Sequence, residues 1–136
     1  MEQENNKLSV FETLSKIKCK TEKKGRFDYV SWAEAWKNVK KAYPNANFKV
    51  YETEKGFPAF VSDKIGGFVK VGVTIEELEH IEHFPILNNY NKSISKDIMT
   101  SFDINTSIKR ALVKCLAFHG LGLHVYDGEE FVEDKE

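Results

Sequence analysis

The segment FVKVGVTI, Phe68 to Ile75, decides the fold. Phe68, Lys70, Gly72 and Thr74 alternate with Val69, Val71, Val73 and Ile75, so an extended chain presents one wholly apolar face and one mixed face. That is the pattern of a strand buried on one side. Gly66-Gly67 just before it is tight-turn chemistry. Working backwards, Phe57 to Ser62 reads as another strand, with Pro58 near its start. Phe48 to Thr53 reads as a strand before that, with Glu54-Lys55-Gly56 as the turn between the two. Working forwards, Glu76 to Glu79 reads as an acidic bend and Ile81 to Leu87 as a fourth strand that pairs back. Asn88 to Ser101 is polar and reads as a long loop.

Helical signals flank this sheet. Leu8, Phe11, Leu14 and Ile17 predict a short amphipathic helix over Leu8 to Cys19. Lys20 to Phe27 is polar and basic and reads as a loop. Ser31 with Glu34 three residues on is a capping-box pattern opening a helix whose stripe is Trp32, Ala35, Trp36, Val39 and Tyr43, stopped by Pro44. The strongest helix is Asp103 to His119, with Asp103 as its N-cap and Ile104, Ile108, Ala111, Leu112, Cys115, Phe118 and His119 on one side. Gly120 is placed as its C′ residue, and Leu121 to Tyr126 closes the domain as a short strand. The expected class is α+β: an antiparallel sheet of three to four strands packed against a long C-terminal helix, with helices also at the N-terminal end.

A chain of 136 residues fits one domain. The 30% charged fraction and the mean hydropathy of −0.45 indicate a soluble protein, and no apolar stretch is long enough to span a membrane. The start, MEQENNKLSV, lacks the plan of a secretory signal. Cys19 and Cys115 match no zinc spacing, which suits a thiol-reduced cytoplasm. The net charge of −1 hides a strong asymmetry. Residues 127–136 carry −5 and residues 1–6 carry −2, which leaves +6 for residues 7–126. A basic body with a small acidic tail is a nucleic-acid footprint. The expected organisation is a tail at 1–6, a domain at 7–127 and an acidic tail at 128–136.

Enzyme motifs are lacking: there is no P-loop and no G-x-S-x-G. His80 and His83 lie among Glu76, Glu77, Glu79 and Glu82, but on a strand residues three apart point to opposite faces, so surface decoration outweighs a metal site. Cys115 reads as a small buried hydrophobe and His119 as a satisfied core histidine. Lys109, Arg110 and Lys114 lie off the apolar stripe, with Arg110 and Lys114 side by side at i,i+4. Thr106 and Ser107 precede them as candidate phosphate donors. Lys20, Lys23, Lys24 and Arg26 form a basic segment followed by Phe27 and Tyr29, with Lys23, Lys24 and Arg26 as the binding candidates, and basic residues interleaved with rings suit single-strand binding. Lys70 is a further candidate on the polar face of its strand. Trp32 and Trp36 read as core rather than as stacking platforms.

Four runs also carry a resemblance: YVSWAEAW (Tyr29 to Trp36), KKAYPNANFKVY (Lys40 to Tyr51), VKVGVTI (Val69 to Ile75) and DINTSIKRALVKCLAFHGLGLHVY (Asp103 to Tyr126). Together they resemble phage single-strand annealing proteins of the Sak type, distant relatives of the ring-forming annealing protein of eukaryotic recombination. The matches span about residues 27–128, and the helix carrying K-R-A-L before a glycine-rich exit is the specific part. The resemblance implies a hairpin-rich sheet cradling a helix. It implies ATP-independent binding of single-stranded DNA, with annealing of complementary strands in phage recombination and repair. No cofactor and no bond chemistry are implied. The implied partners are single-stranded DNA, further copies of the chain in a ring or filament, and a single-strand binding protein or phage exonuclease in the host cytoplasm. Among the site residues, Lys109, Arg110 and Lys114 match the family's basic helix. Many relatives carry a longer C-terminal region, whereas here an acidic tail stands that could compete with DNA for the basic groove. Two other readings use the same residues: a non-enzymatic phage protein that binds a host or repressor protein, and a metal-dependent nuclease centred on His80 and His83.

Overall fold

The computed structural model describes residues 8–24 and 27–126, without the side chains of residues 24 and 27. Three α-helices and six strands follow in order: α1 (Val10–Ser15), β1 (Glu22–Lys24), β2 (Phe27–Tyr29), α2 (Trp32–Ala42), β3 (Asn47–Val50), β4 (Phe60–Ser62), β5 (Gly66–Ile75), β6 (Leu78–Pro85) and α3 (Ser101–Phe118), closed by a 3₁₀ turn at Leu123–Tyr126. The mixed α+β class with antiparallel sheets and a C-terminal helix is as the periodicities predict.

β5 is the hub. It pairs antiparallel with β6 through eight residue pairs, from Phe68↔Pro85 to Ile75↔Leu78. On its other edge lie both β3 and β4. Val69, Val71, Val73 and Ile75 are essentially inaccessible and pack with Ala111, Leu112, Cys115 and Leu116 of α3. Each fully buried aliphatic side chain of this kind contributes roughly 1.5–3 kcal/mol. α3 runs alongside β5: Met99, just before it, lies against Gly67, and His119, at its end, bonds Val73.

Several boundaries differ from the sequence reading. The presumed loop at Lys20–Phe27 holds a small hairpin, β1 with β2, closed by Glu22↔Tyr29 and by the Tyr29 hydroxyl on Glu22 at 2.7 Å. Its residues alternate no apolar face, so periodicity could not show it. The two strands around Glu54-Lys55-Gly56 do not form a hairpin. β3 and β4 lie end to end on β5, and residues 52–59 leave the sheet and return, with Tyr51 still bonded to Lys70 at 2.9 Å. β6 starts at Leu78, earlier than expected, because Glu76 and Glu77 (φ 52° and 72°) complete a two-residue turn.

The helix ends also shift. Thr100, not Asp103, is the N-cap of α3; Asp103 is the N3 partner of a complete capping box. The Ser31 box is half made. Ser31 accepts from the Glu34 amide, but the Glu34 carboxylate turns to the Lys20 amide, Asn38 and Lys37. Those donors pull its pKa down to about 2 and tie the incoming chain to α2. Gly120 closes α3 in a Schellman arrangement, with Gly120 on Ala117 at 2.9 Å and Leu121 on Leu116 at 3.2 Å. At φ 116°, with the Phe11 carbonyl 2.8 Å from where a Cβ would stand, only glycine fits. After it, Leu123–Tyr126 is a 3₁₀ turn rather than a strand.

Candidate nucleic-acid interface

The helical wheel of α3 turns Ser107, Ala111, Leu112, Cys115 and Leu116 to the core. The opposite side carries the cations on two flanks. Lys109 leans towards α2, its Nζ 4.7 Å from the Trp32 ring centroid. Arg110 and Lys114 lean towards β6, and both sit over Phe84, at 5.2 and 5.9 Å. Lys114 also lies 5.5 Å from the Tyr126 ring, and Arg110 donates to Asn91 Oδ1 at 3.0 Å. Phe84 reaches them because its register partner is Val69, so its ring is on the helix side of the sheet edge. A ring beneath a cation holds it by its quadrupole without neutralising it.

Glu82 and a small cleft adjoin this face. Glu82, two residues before Phe84, shares the helix side of β6. Burial raises its pKa, while Lys114 and then His83 pull it back. Thr106 and Arg110 line a small cleft with Asn88, Asn89, Asn91 and Asp103. Its wall is ordered: Asn88 Oδ1 accepts from the amides of Tyr90 and Lys92, at 2.8 and 3.1 Å. Leu87 bridges Ser93, and Ile94 is buried, so much of the polar Asn88–Ser101 stretch is tied down.

The remaining candidates are distributed elsewhere. Ser107 is buried and faces away from any phosphate. Lys70 is on the sheet face opposite α3, since its neighbours Val69 and Val71 face the helix; the sheet separates it from Lys109, Arg110 and Lys114. Lys23 pairs with Asp28 at 3.0 Å on the exposed hairpin. The Lys24 side chain, Arg26 and the two terminal tails lie outside the described residues. His80 and His83 do face opposite ways: His80 meets His119 and Phe118, and His83 meets Phe68. Among the described residues no group of three His, Cys, Asp or Glu could hold a metal.

Cys115 and His119 are tied to backbone carbonyls in the interior. The Cys115 thiol donates to the His80 carbonyl at 2.9 Å, and burial pushes its pKa up to about 11. His119 Nε2–H donates to the Val73 carbonyl at 2.8 Å. Both match the sequence reading. Phe118, by contrast, is 41% exposed, while Leu116 and Ala117 take the buried places. Trp36 packs edge-on against Phe48 at 5.2 Å, but Trp32 is 43% exposed under Lys109. The seats Trp32, Phe84 and Tyr126 escaped the sequence reading. Only the β5–β6 register and the packing of α2 on α3 reveal them.

Among the described residues no helix is long and apolar enough to cross a membrane. No curated protein and no solved structure shows a significant match to the chain. A family model described as Sak Single Strand Annealing Protein matches residues 7–136, and the chain belongs to that family. Membership indicates binding and annealing of single-stranded DNA, by a family that is generally non-catalytic.

Proposed function

We propose that this member of the Sak family holds single-stranded DNA on the outer side of α3 and pairs complementary strands without ATP, in phage recombination and repair. Lys109, Arg110 and Lys114 take the phosphates, with Thr106 as a neutral donor; Lys23, Lys24 and Arg26 are further candidate phosphate contacts. The observation that carries the reading is the seating of Arg110 and Lys114 over one ring, Phe84, which sets two cations side by side. Neutralised phosphates release counterions and remove the repulsion between two polyanions. A strand held by its backbone keeps its base edges open, and nucleating a duplex then costs less entropy. No bond is made or broken.

Residues 7–127 are the annealing domain in this reading. Copies assemble in a ring or filament in the host cytoplasm, where many weak contacts become one avid surface. A single-strand binding protein or an exonuclease supplies or receives the strand. The acidic residues at 128–136 compete with DNA for the cations at low salt.

The test is annealing of two complementary dye-labelled oligonucleotides by the purified chain, without ATP or metal, over a salt series. Acceleration that fades with salt is expected. A folded protein giving no acceleration would overturn the reading and bring forward a phage protein that binds a protein partner.

A further inference from the structure

The sheet face turned away from α3 has no helix over it among the described residues, and it is not an ordinary solvated face. Lys49 and Lys70, from β3 and β5, each place Nζ 4.6 Å from the centroid of the Tyr51 ring. Tyr51 lies across Gly72, which has no side chain to lift it, and its hydroxyl donates to Glu79 at 2.6 Å. Among the described residues neither lysine is within ion-pair distance of a carboxylate. Beside this clamp runs a line of rings. Phe60 stacks on Phe68 at 5.1 Å and 13°, and Phe68 meets the edge of exposed His83 at 5.7 Å. These rings come from three adjacent strands. The sheet that bears them separates them from the cations of α3.

We propose that this open face is a second surface for single-stranded DNA, one that takes the faces of the bases on its rings while Lys49 and Lys70 take the phosphates. The inference rests on the annealing reading above and adds to it a division of labour. The α3 face, whose described rings lie under cations, responds to the backbone alone. On the sheet face Tyr51 likewise lies under Lys49 and Lys70, but no cation of the described residues lies over Phe60, Phe68 or the exposed His83, so this face responds to the bases as well. Stacking on rings is tolerant of sequence, as a protein that pairs any two complementary strands requires.

The experiment compares binding of the full chain to oligo(dT) and to an abasic oligonucleotide of equal length, which has the same phosphates and no bases. The wild type is expected to prefer oligo(dT) by about tenfold or more, the range of one stacked base. Phe68→Leu with His83→Ala should erase most of that preference and lower abasic binding far less. Because Phe68 is half-buried, Lys49→Glu with Lys70→Glu serves as a second variant, one that alters no ring. It should weaken oligo(dT) binding and flatten its salt slope by about 1.4, the figure for two single-strand phosphate contacts. Arg110→Ala with Lys114→Ala should lower binding of both oligonucleotides alike. An unchanged base preference and salt slope in the sheet-face variants would overturn the proposal. So would a change in oligomeric size, which would assign the face to a neighbouring copy. A wild type that binds neither oligonucleotide would instead remove the annealing reading itself.

Discussion

His119 ties α3 to the sheet through one hydrogen bond and is buried beside His80, ring to ring at 4.5 Å. Burial, and then His80, lowers its pKa from the ordinary 6.5, although the Val73 carbonyl pulls the other way. The unfolded chain therefore takes up the proton at higher pH than the native one. The stability that neutral His119 contributes is whole above 6.5 and is lost as pH falls through the lowered native value. Urea unfolding between about pH 7 and pH 5 should show stability falling, by at most ~1.4 kcal/mol per pH unit from this one proton. His119→Gln should remove that component; an identical slope in the variant would assign it to another group. Much at this scale was legible beforehand. A histidine and a cysteine at helical spacing on an apolar stripe are core residues. The exposure of Phe118 was not legible, because the sheet covers α3 only as far as β6 reaches and the wheel does not record where that edge falls.

Among the elements, the β5–β6 hairpin is the most constrained. Its turn puts two glutamates, Glu76 and Glu77, at positive φ, where a two-residue turn of this hand favours Asn-Gly. The eight-pair ladder holds them there. Glu77→Gly should relieve the left-handed cost of a side chain and raise stability by about 1 kcal/mol, seen as a higher denaturant midpoint with an unchanged slope. A lower midpoint would mean that the glutamate makes a compensating interaction. Alternation made β5 readable and stripes made α2 and α3 readable, since each buries one face. The β1–β2 hairpin was not, because Glu22, Lys23 and Lys24 have no face to bury. Nor was the end-to-end placing of β3 and β4, because a turn motif such as Glu54-Lys55-Gly56 says only that the chain bends. Which strand it returns to is set by the free edge of β5.

For the molecule as a whole, a net charge of −1 conceals cations presented on two separate surfaces. The α3 cations could be found from helical spacing alone, and Lys70 from strand alternation. That a sheet lies between them could not be read, since it depends on which face of β5 the helix covers. The seats beneath the cations were equally hidden: Phe84 and Arg110 lie 26 positions apart in the chain and meet only through the fold.

The departure of residues 52–59 from the sheet has a consequence for how this chain can be altered. β3 and β4 are each registered on β5 independently, so the segment between them sets no alignment. Doubling its length costs only about 0.6 kcal/mol in loop-closure entropy. A Gly-Ser insert of about eight residues after Lys55 should therefore leave the melting temperature within a few degrees and binding of single-stranded DNA unchanged. The same insert between Glu76 and Glu77 should be far more damaging, because there the turn fixes the register of the hairpin. A large loss of stability from the Lys55 insert would show that the excursion is itself structural. If it is tolerated, the molecule has a port at which a fluorophore or a second domain can be mounted while α3 and the sheet stay as they are.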